Sequence, residues 1–238
     1  MCTVSIVAHA DGLRMISNRD ERLDRAIARE PRVLSLGPQL AAMPNDPAGG
    51  GSWIGVNDAG LVAAVLNRHH ASARGARGPW TSRGALVPLA LASDSIDAAL
   101  ASLQRVDPAQ FQPFRLVLAQ RSQIALVEGD TRELRPAAAT LCGPWMFTAS
   151  SLGDFLVDAP RRRLFDWLMD DPASQLRGQA LFHRHQWTDK RDISVVMERG
   201  DAATVSRTTV DVGSTGIALE YESLLPPGPP RRFELAPC

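Results

Sequence analysis

The chain has 238 residues, of which 45% are hydrophobic, and its 26 basic residues balance 26 acidic ones at a pI near 7.0. This length and composition allow a substantial buried core. The absence of net charge argues against a protein that binds nucleic acid or an anionic membrane surface, because both usually require a basic excess.

Targeting signals and cysteine usage point to a reducing compartment. The N-terminus has no cationic segment followed by an apolar stretch and a cleavage site, and no apolar run is long enough for a membrane span. The three cysteines, Cys2, Cys142 and Cys238, lie far apart in the sequence. We therefore expect a soluble, cytoplasmic protein without nucleic-acid binding or membrane insertion, and its oligomeric state stays open.

A first β-hairpin is predicted at the start of the chain. Residues 3–8 alternate apolar and polar side chains, Asp11-Gly12 is a turn sequence, and residues 13–17 return. After a proline-punctuated stretch, residues 52–56 and 61–66 predict a second hairpin that ends at Asn67. The almost wholly apolar return strand is typical of a strand buried on both faces.

Helices and further strands alternate in the rest of the chain. Ser82 can cap a helix over 85–92, and Ser93 or Asp94 can cap another over 96–103. Further helices are predicted at 163–169 and 173–182, and further strands at 114–119, 124–128, 193–197, 204–212 and 217–221. Strands grouped in hairpins favour antiparallel sheets whose outer faces are covered by helices. We predict an α+β fold with one domain over 1–225 and a Pro-rich C-terminal tail over 226–238.

Cys2 is the first candidate for chemistry. A small residue after Met1 usually allows the methionine to be removed, which would leave Cys2 with a free α-amine. The pKa of that amine lies near ~7.7–8.0 and that of a thiol near ~8.5. One residue could then supply both the nucleophile and its base, as in N-terminal threonine enzymes. The alternative is that a cysteine at position 2 reflects composition alone.

The charged run Asn18-Arg19-Asp20-Glu21 ends the strand that the first hairpin folds back beside Cys2. In that place Arg19 would lower the pKa of the thiol, and a carboxylate of Asp20 or Glu21 would orient the amine. A run of this kind can also be an ordinary charged loop. Its position across a short hairpin from Cys2 favours a role in catalysis.

Four motifs can be considered together: Met1-Cys2, Asn18-Arg19-Asp20-Glu21, Gly50-Gly51-Ser52-Trp53-Ile54-Gly55, and Arg83-Gly84 followed by Leu86-Val87. Together they resemble the NRDE family, whose eukaryotic members are called transport and Golgi organisation protein 2. The resemblance is specific from residue 1 to about 90 and weaker from there to about 225. That family is grouped with the N-terminal-nucleophile (Ntn) hydrolases, so the resemblance implies a four-layer αββα sandwich of two antiparallel sheets. Asn18, Glu21 and Trp53 of these motifs are candidate substrate-binding residues.

A more distant likeness, to choloylglycine hydrolases and penicillin V acylases, includes Met1-Cys2-Thr3, Asp11-Gly12-Leu13 and the stretch 55–67. In those amidases the asparagine that matches Asn67 helps to form the oxyanion hole. A side-chain amide at the end of a buried strand must find partners. One oxyanion donor contributes roughly 3–4 kcal/mol to catalysis. The alternative is that Asn67 is a turn-forming residue at a strand exit.

The chain departs from those amidases at three places. They carry an arginine, an asparagine and an aspartate in a different order from Asn18-Arg19-Asp20-Glu21. Their further active-site asparagine is replaced by Thr148-Ala149-Ser150-Ser151, so a hydroxyl of Ser150 or Ser151 would have to take its place at the substrate. Their late arginine precedes a strand, and its best match is Arg191 before residues 193–197.

Other patterns in the sequence are weaker indications of function. The run Gly49-Gly50-Gly51 lacks the Gly-Lys-Ser/Thr of a phosphate-binding loop. The pairs His69-His70 and His183/His185 lack zinc-site spacing and predict surface histidines. Phe165, Trp167 and Phe182 have helical spacing and predict core packing. We expect no metal and no organic cofactor.

Two functions follow from these residues. The first is an Ntn-type cysteine amidohydrolase that acts through Cys2 on a linear amide, or a thioester, of a small-molecule substrate. Asn67 would then serve as oxyanion donor, and Arg191 would hold the site or a substrate carboxylate. The second, implied by the resemblance, is a non-catalytic carrier of haem or acyl-lipid on the same scaffold.

Overall fold

The computed structural model describes residues 2–68 and 80–237, and its strands form two antiparallel sheets. The six-stranded sheet contains β1 (Cys2–His9), β2 (Gly12–Arg22), β10 (Trp145–Ala149), β11 (Ala202–Gly213), β12 (Gly216–Ser223) and β13 (Arg231–Leu235), in the spatial order β10-β1-β2-β11-β12-β13. The seven-stranded sheet follows chain order with β3 (Arg29–Leu36), β4 (Gln39–Asn45), β5 (Ile54–Asn57), β6 (Val62–Asn67), β7 (Phe114–Gln120), β8 (Gln123–Gly129) and β9 (Leu134–Thr140).

Four α-helices cover the outer faces of the sheets. They are α1 (Leu86–Leu91), α2 (Ile96–Leu103), α3 (Asp154–Met169) and α4 (Gln175–Phe182). The first two pack on the seven-stranded sheet, and α3 and α4 pack on the six-stranded sheet. The predicted αββα sandwich is confirmed.

The main core lies between the two sheets. Because strand side chains alternate between faces, every second residue of β1 enters this core, as Val4 and Ile6 do. The apolar strand β6 is buried on both faces, as its sequence predicted. Its Ala64 points into the main core towards the six-stranded sheet, whereas Ala63 and Val65 pack under α1.

Several sequence-based expectations differ from the structure. Residues 193–197 form no strand, because a 3₁₀ turn at Arg191–Ile193 and a single β-bridge at Glu198 replace it. The segment 226–238, expected to be a tail, contains β13, which pairs with β12. The division into a single domain stays a prediction. Trp167 lies on the exposed face of α3 and is 74% exposed, although Phe165 and Phe182 are buried as expected. The helix cap at α2 is Ser95, whose hydroxyl accepts from the N–H of Ala98.

His183 was expected on the surface and is instead fully buried between α4 and the six-stranded sheet. Its Nε2 lies 2.7 Å from Ser5 Oγ, and its Nδ1 lies 3.0 Å from Asn18 Oδ1. Both N–H groups of the Asn18 amide donate to backbone carbonyls, those of His183 and Val195. Asn18 Oδ1 can therefore only accept, so His183 carries its proton on Nδ1 and accepts from Ser5 at Nε2.

This hydrogen-bond pattern requires a neutral imidazole. Burial, together with the nearby charges of Arg207 and Arg161, lowers the pKa of His183 well below 6.5. The unfolded chain binds a proton at this site near pH 6.5 and the folded chain does not. The stability that His183 contributes is thus complete above that pH and is lost as the pH falls.

We predict that His183→Gln weakens the dependence of stability on pH. Between pH 7 and pH 5 the free energy of unfolding of the wild type should fall by up to about 1.4 kcal/mol per pH unit more than that of the variant, the value for one proton. Urea unfolding at pH 5, 6 and 7 measures both slopes. Parallel slopes would contradict a neutral, buried His183, whatever the stability of the variant at pH 7.

Candidate active site

Strand β1 is fixed on both sides, because it pairs with β10 and β2. Cys2 lies opposite Ala149 on one side and opposite Arg19 on the other. The hairpin turn that sets this register needs a glycine, since a Cβ on Gly12 would lie 1.8 Å from the carbonyl oxygen of Val212. The predicted hairpin is confirmed, and it brings Arg19 to Cys2.

A cavity of about 400 Å³ opens at this end of the two sheets. Six of the predicted site residues line it: Cys2, Arg19, Asp20, Glu21, Trp53 and Asn67. Other lining residues are Arg25, Asp46, Ala48, Gly49, Ser52, Val65, Trp80, Thr81, Ser82, Arg83, Gly84 and Gln112. The volume is that of a small-molecule site, and the lining is rich in charged side chains.

Arg19 is held in a ring of alternating charges. Its guanidinium lies 3.2 Å from Glu21 and 3.6 Å from Asp46. Arg25 closes the ring, at 2.5 Å from Asp46 and 3.4 Å from Glu21. The Arg19 guanidinium also lies over the indole of Trp53, 4.3 Å from the ring centroid, where cation and ring attract. These contacts fix Arg19 and neutralise most of its charge.

The thiol of Cys2 is only 7% exposed, although it lines the cavity. Burial raises the pKa of Cys2, and the charge of Arg19 opposes this rise without cancelling it. Arg19 therefore acts in the predicted direction but is not enough to make a thiolate at neutral pH. The thiol needs a base close by.

Asp20 and Glu21 have different surroundings. Glu21 is engaged by Arg19 and Arg25 in the charge ring. Asp20 is almost fully buried and accepts a 2.6 Å hydrogen bond from the Thr204 hydroxyl. Burial raises the pKa of Asp20, and the charges of Arg161 and Arg199 oppose this. Asp20 is thus the carboxylate at the start of β1 that does not belong to the ring.

Arg161 of α3 supports this end of the sheet from behind and is 1% exposed. Its Nη1 donates to the hydroxyls of Thr3 on β1 and Thr148 on β10, at 2.7 and 2.8 Å. Its other donors reach the carbonyls of Ile193 and Ser194. One buried guanidinium therefore joins β1, β10, α3 and the loop before β11.

Asn67 and Trp53 complete the predicted part of the cavity. Asn67 is the last residue of β6 and is partly exposed at the cavity. Trp53 is 6% exposed, and its indole Nε1 has no hydrogen-bond partner among the residues that the structure describes. Asn67 is therefore the lining side chain whose amide can donate an N–H group, which is what an oxyanion or a substrate carbonyl requires, whereas Nε1 of Trp53 is buried.

Four predicted site residues do not line the cavity. Asn18 faces the helices because it alternates with Arg19 along β2, and its amide is used by His183 and Val195. The backbone N–H of Ser150 donates to Asp154 at the start of α3, and Ser151 is exposed. Arg191 is 56% exposed in its side chain and pairs with Glu198 at 2.8 Å. Its assignment depended on a strand over 193–197 that does not form.

Arg199 matches the late-arginine pattern better than Arg191. It lies three residues before β11, its charge acts on Asp20, and its Nη2 lies 3.5 Å from Ser151 Oγ. Sequence reasoning also missed Arg161, Asp46 and Arg83. Arg83 belongs to a motif of the resemblance and could have been found there, whereas Asp46 and Arg161 carry no local pattern.

No group of three or more histidine, cysteine, aspartate or glutamate side chains within 2–68 and 80–237 could hold a metal ion. His69 and His70 lie outside the described residues. In the described part of the chain, the helices are too short or too polar to cross a membrane.

Two helix-covered antiparallel sheets, with a cysteine at the start of a central strand, define an Ntn-hydrolase-type fold. A Caenorhabditis elegans N-acylethanolamine-hydrolyzing acid amidase ortholog superimposes with a TM-score of 0.56 at 10% identity, over 87% of this chain and 92% of that one. A mutant of the conjugated bile acid hydrolase from Clostridium perfringens gives 0.56 at 14% identity, over 99% and 92%. Another variant of that hydrolase gives 0.54 at 14%, over 98% and 92%.

The family is shown by the sequence itself. The model of the family described as Transport and Golgi organisation 2 matches residues 1–151, and the chain belongs to that family. Comparison with curated proteins gives no match.

We predict that Arg161→Ala lowers the free energy of unfolding by about 3–5 kcal/mol, the usual cost of breaking a buried charged network. The substitution leaves two hydroxyls and two carbonyls without their donor. The matched control is Arg163→Ala, two residues along the same helix at an exposed position, which should cost less than about 0.5 kcal/mol. Urea unfolding of both variants tests this, and equal losses would contradict the role of Arg161.

Proposed function

We propose that the protein is an N-terminal-nucleophile cysteine hydrolase that cleaves a linear amide, or a thioester, through Cys2. The observation that carries this proposal is that Cys2, Arg19, Asp20 and Asn67 line one cavity of small-molecule size. The names of two proteins of similar fold, an acid amidase and a bile acid hydrolase, support the same reaction class.

The reaction follows from the groups at the cavity. With Met1 removed, the α-amine of Cys2 takes the thiol proton, and Sγ attacks the carbonyl carbon. Asn67 stabilises the oxyanion as the carbonyl π bond opens. The protonated amine gives its proton to the leaving nitrogen as the C–N bond breaks, and a water then hydrolyses the acyl-thioester and restores the thiol.

Asp20 is the carboxylate that we assign to the α-amine. Glu21 already pairs with two arginines, so moving it to the amine would break the charge ring. Asp20 lies at the cavity outside that ring and accepts a hydrogen bond from the Thr204 hydroxyl, so it is the lining carboxylate that is not held by Arg19 and Arg25. Glu21 then acts on the thiol only through Arg19.

The carrier alternative fits this cavity less well. Six arginine, aspartate and glutamate side chains of the described residues line it: Arg19, Asp20, Glu21, Arg25, Asp46 and Arg83. The hydrocarbon of an acyl chain, or the macrocycle of haem, would desolvate most of these charges without replacing their water, even where a carboxylate end group pairs with an arginine, and this is unfavourable. A small polar amide can instead hydrogen-bond to them.

We predict that Cys2→Ala abolishes turnover and that Asn67→Ala lowers it by about a hundredfold or more, the usual effect of losing one oxyanion donor. Wild type and variants would be assayed on N-acyl amides, small lactams and acyl thioesters. Cys142→Ala removes an exposed cysteine outside the cavity and should keep full activity. A ligand that binds in the cavity but is cleaved no faster by wild type than by Cys2→Ala would favour the carrier.

We also predict that Met1 is absent from the active protein. Only a free α-amine on Cys2 can serve as the base, so protein that retains Met1 should be inactive and should gain activity as methionine aminopeptidase removes that residue. Intact-mass spectrometry and activity are followed in the same sample. Full activity with Met1 in place, or a mass that still contains Met1 after treatment, would contradict the mechanism.

A further inference from the structure

Arg83 is a charged cavity residue that belongs neither to the charge ring nor to the proposed reaction. It begins a 3₁₀ turn, Arg83–Ala85, whose first N–H groups are capped by Ser82, since the Ser82 hydroxyl accepts from the N–H of Gly84 at 3.3 Å. The carbonyl of Gly84 accepts from the N–H of Ser52 at 3.0 Å. These bonds attach the turn to the loop before β5 and so fix the position of the Arg83 backbone.

The glycine run next to this turn explains how the two segments approach. A Cβ on Gly51 would lie 2.3 Å from the carbonyl carbon and oxygen of Gly84, and a Cβ on Gly49 would lie 2.6 Å from Ser82 Oγ. Side chains at these positions would push the turn away. The glycines therefore serve to hold the Arg83 turn against the cavity wall, and not to cradle a phosphate.

The Arg83 guanidinium has no carboxylate within salt-bridge distance among the residues that the structure describes. Within the described residues, its guanidinium donates one hydrogen bond, from Nη1 to the carbonyl of Pro113 at 3.2 Å. Glu21 acts on it electrostatically but is bound by Arg19 and Arg25. The residues outside the described ranges, 1, 69–79 and 238, include no aspartate or glutamate, so none of their side chains can supply the missing partner.

A half-buried cation without a counter-charge is costly unless something else compensates it. Burial lowers the pKa of Arg83, and negative charge at Cys2 and Glu21 opposes this. Arg83 and Cys2 line the same cavity, so a ligand that reacts at Cys2 can also reach the Nε and Nη2 donors of Arg83, which bond to no residue within 2–68 and 80–237. Two such donors match the two oxygens of a carboxylate.

A carboxylate fits this place better than a phosphate. A phosphate site usually adds backbone N–H groups to its cation. Here the nearest backbone donors of the turn and the glycine loop are already used, since Gly84 donates to Ser82 and Ser52 donates to Gly84. The guanidinium fork is left as the main donor.

We propose that Arg83 is an anion subsite of the Cys2 cavity and that the substrates of this site are amides or thioesters that carry a carboxylate. The subsite stands on the geometry of Arg83, and the substrate class rests in addition on the proposed hydrolase function. A competing role for Arg83 is to lower the pKa of the Cys2 thiol. The experiment must separate the two.

Alkylation of Cys2 by two reagents of nearly equal size makes that separation. Iodoacetate carries a carboxylate where iodoacetamide carries a neutral amide, and both react with the same thiolate. The ratio of their rates at Cys2 is therefore independent of the thiolate fraction and reports only on recognition of the carboxylate. Peptide mapping resolves Cys2 from the exposed Cys142, which serves as an internal reference.

We expect the iodoacetate-to-iodoacetamide ratio at Cys2 to exceed that at Cys142 by about tenfold or more, the scale of one charge-assisted hydrogen bond. Arg83→Gln should reduce the ratio to the Cys142 value, and Arg83→Lys should retain part of it because a point charge remains. The matched control is Arg68→Gln, an arginine next to Asn67 that pairs with Glu128 and does not line the cavity, which should leave the ratio unchanged.

Three results would overturn the subsite: equal ratios at Cys2 and Cys142, a ratio that Arg83→Gln leaves unchanged, or a Cys2 that neither reagent reaches. If Arg83→Gln slows both reagents equally, Arg83 tunes the thiol and does not bind a carboxylate. None of these readings depends on turnover. A protein that shows the Arg83-dependent ratio but cleaves no amide or thioester would refute the hydrolase and leave the subsite standing.

Discussion

The buried guanidinium of Arg161 is the constraint on which the rest of this site depends. A charge removed from water must have all its donors satisfied, and Arg161 finds its acceptors on β1, β10 and the loop before β11. These segments can satisfy it only when β10 lies beside β1 and α3 lies behind both. The position of Cys2 is therefore fixed from the helical side of the sheet, although its thiol faces the cavity.

Strand alternation explains how one short hairpin supplies both support and chemistry. On β1, Cys2 faces the space between the sheets, and Thr3 faces Arg161. On β2, Arg19 faces the cavity and Asn18 faces His183. The order of the Asn-Arg-Asp-Glu run thus has a physical meaning. Arg19 and Glu21 form the charge ring with Arg25 and Asp46. Asn18 belongs to the buried polar layer that holds the sheet to its helices, and Asp20 accepts from Thr204 while it lines the cavity.

Much of this arrangement could be predicted from sequence, and the failures have identifiable causes. The first hairpin and the doubly buried β6 carry strong local patterns. Strands β3 and β9 do not, because they are edge strands that contain Pro31 and Pro136 and expose most of their side chains. Arg161 and Asp46 reach the site only through tertiary packing. The sequence points to Arg191 because the apolar segment 193–197 resembles a strand, whereas in the structure that segment packs as a loop and Arg199 precedes β11.

The electrostatics of the cavity also support the proposal that Cys2 acts as an N-terminal nucleophile. Burial raises the pKa of the Cys2 thiol, and the arginine beside it is paired with two carboxylates, so it offsets this rise only in part. Histidine is the commonest general base, but the buried His183 lies on the helix side of the sheet, away from the cavity. Both of its ring nitrogens are hydrogen-bonded, to Ser5 and Asn18. Within the described residues that line the cavity there is no histidine at all. In the proposed mechanism the α-amine of Cys2 is the base, because the ordinary pKa of an α-amine suits neutral pH and strand β1 fixes its position.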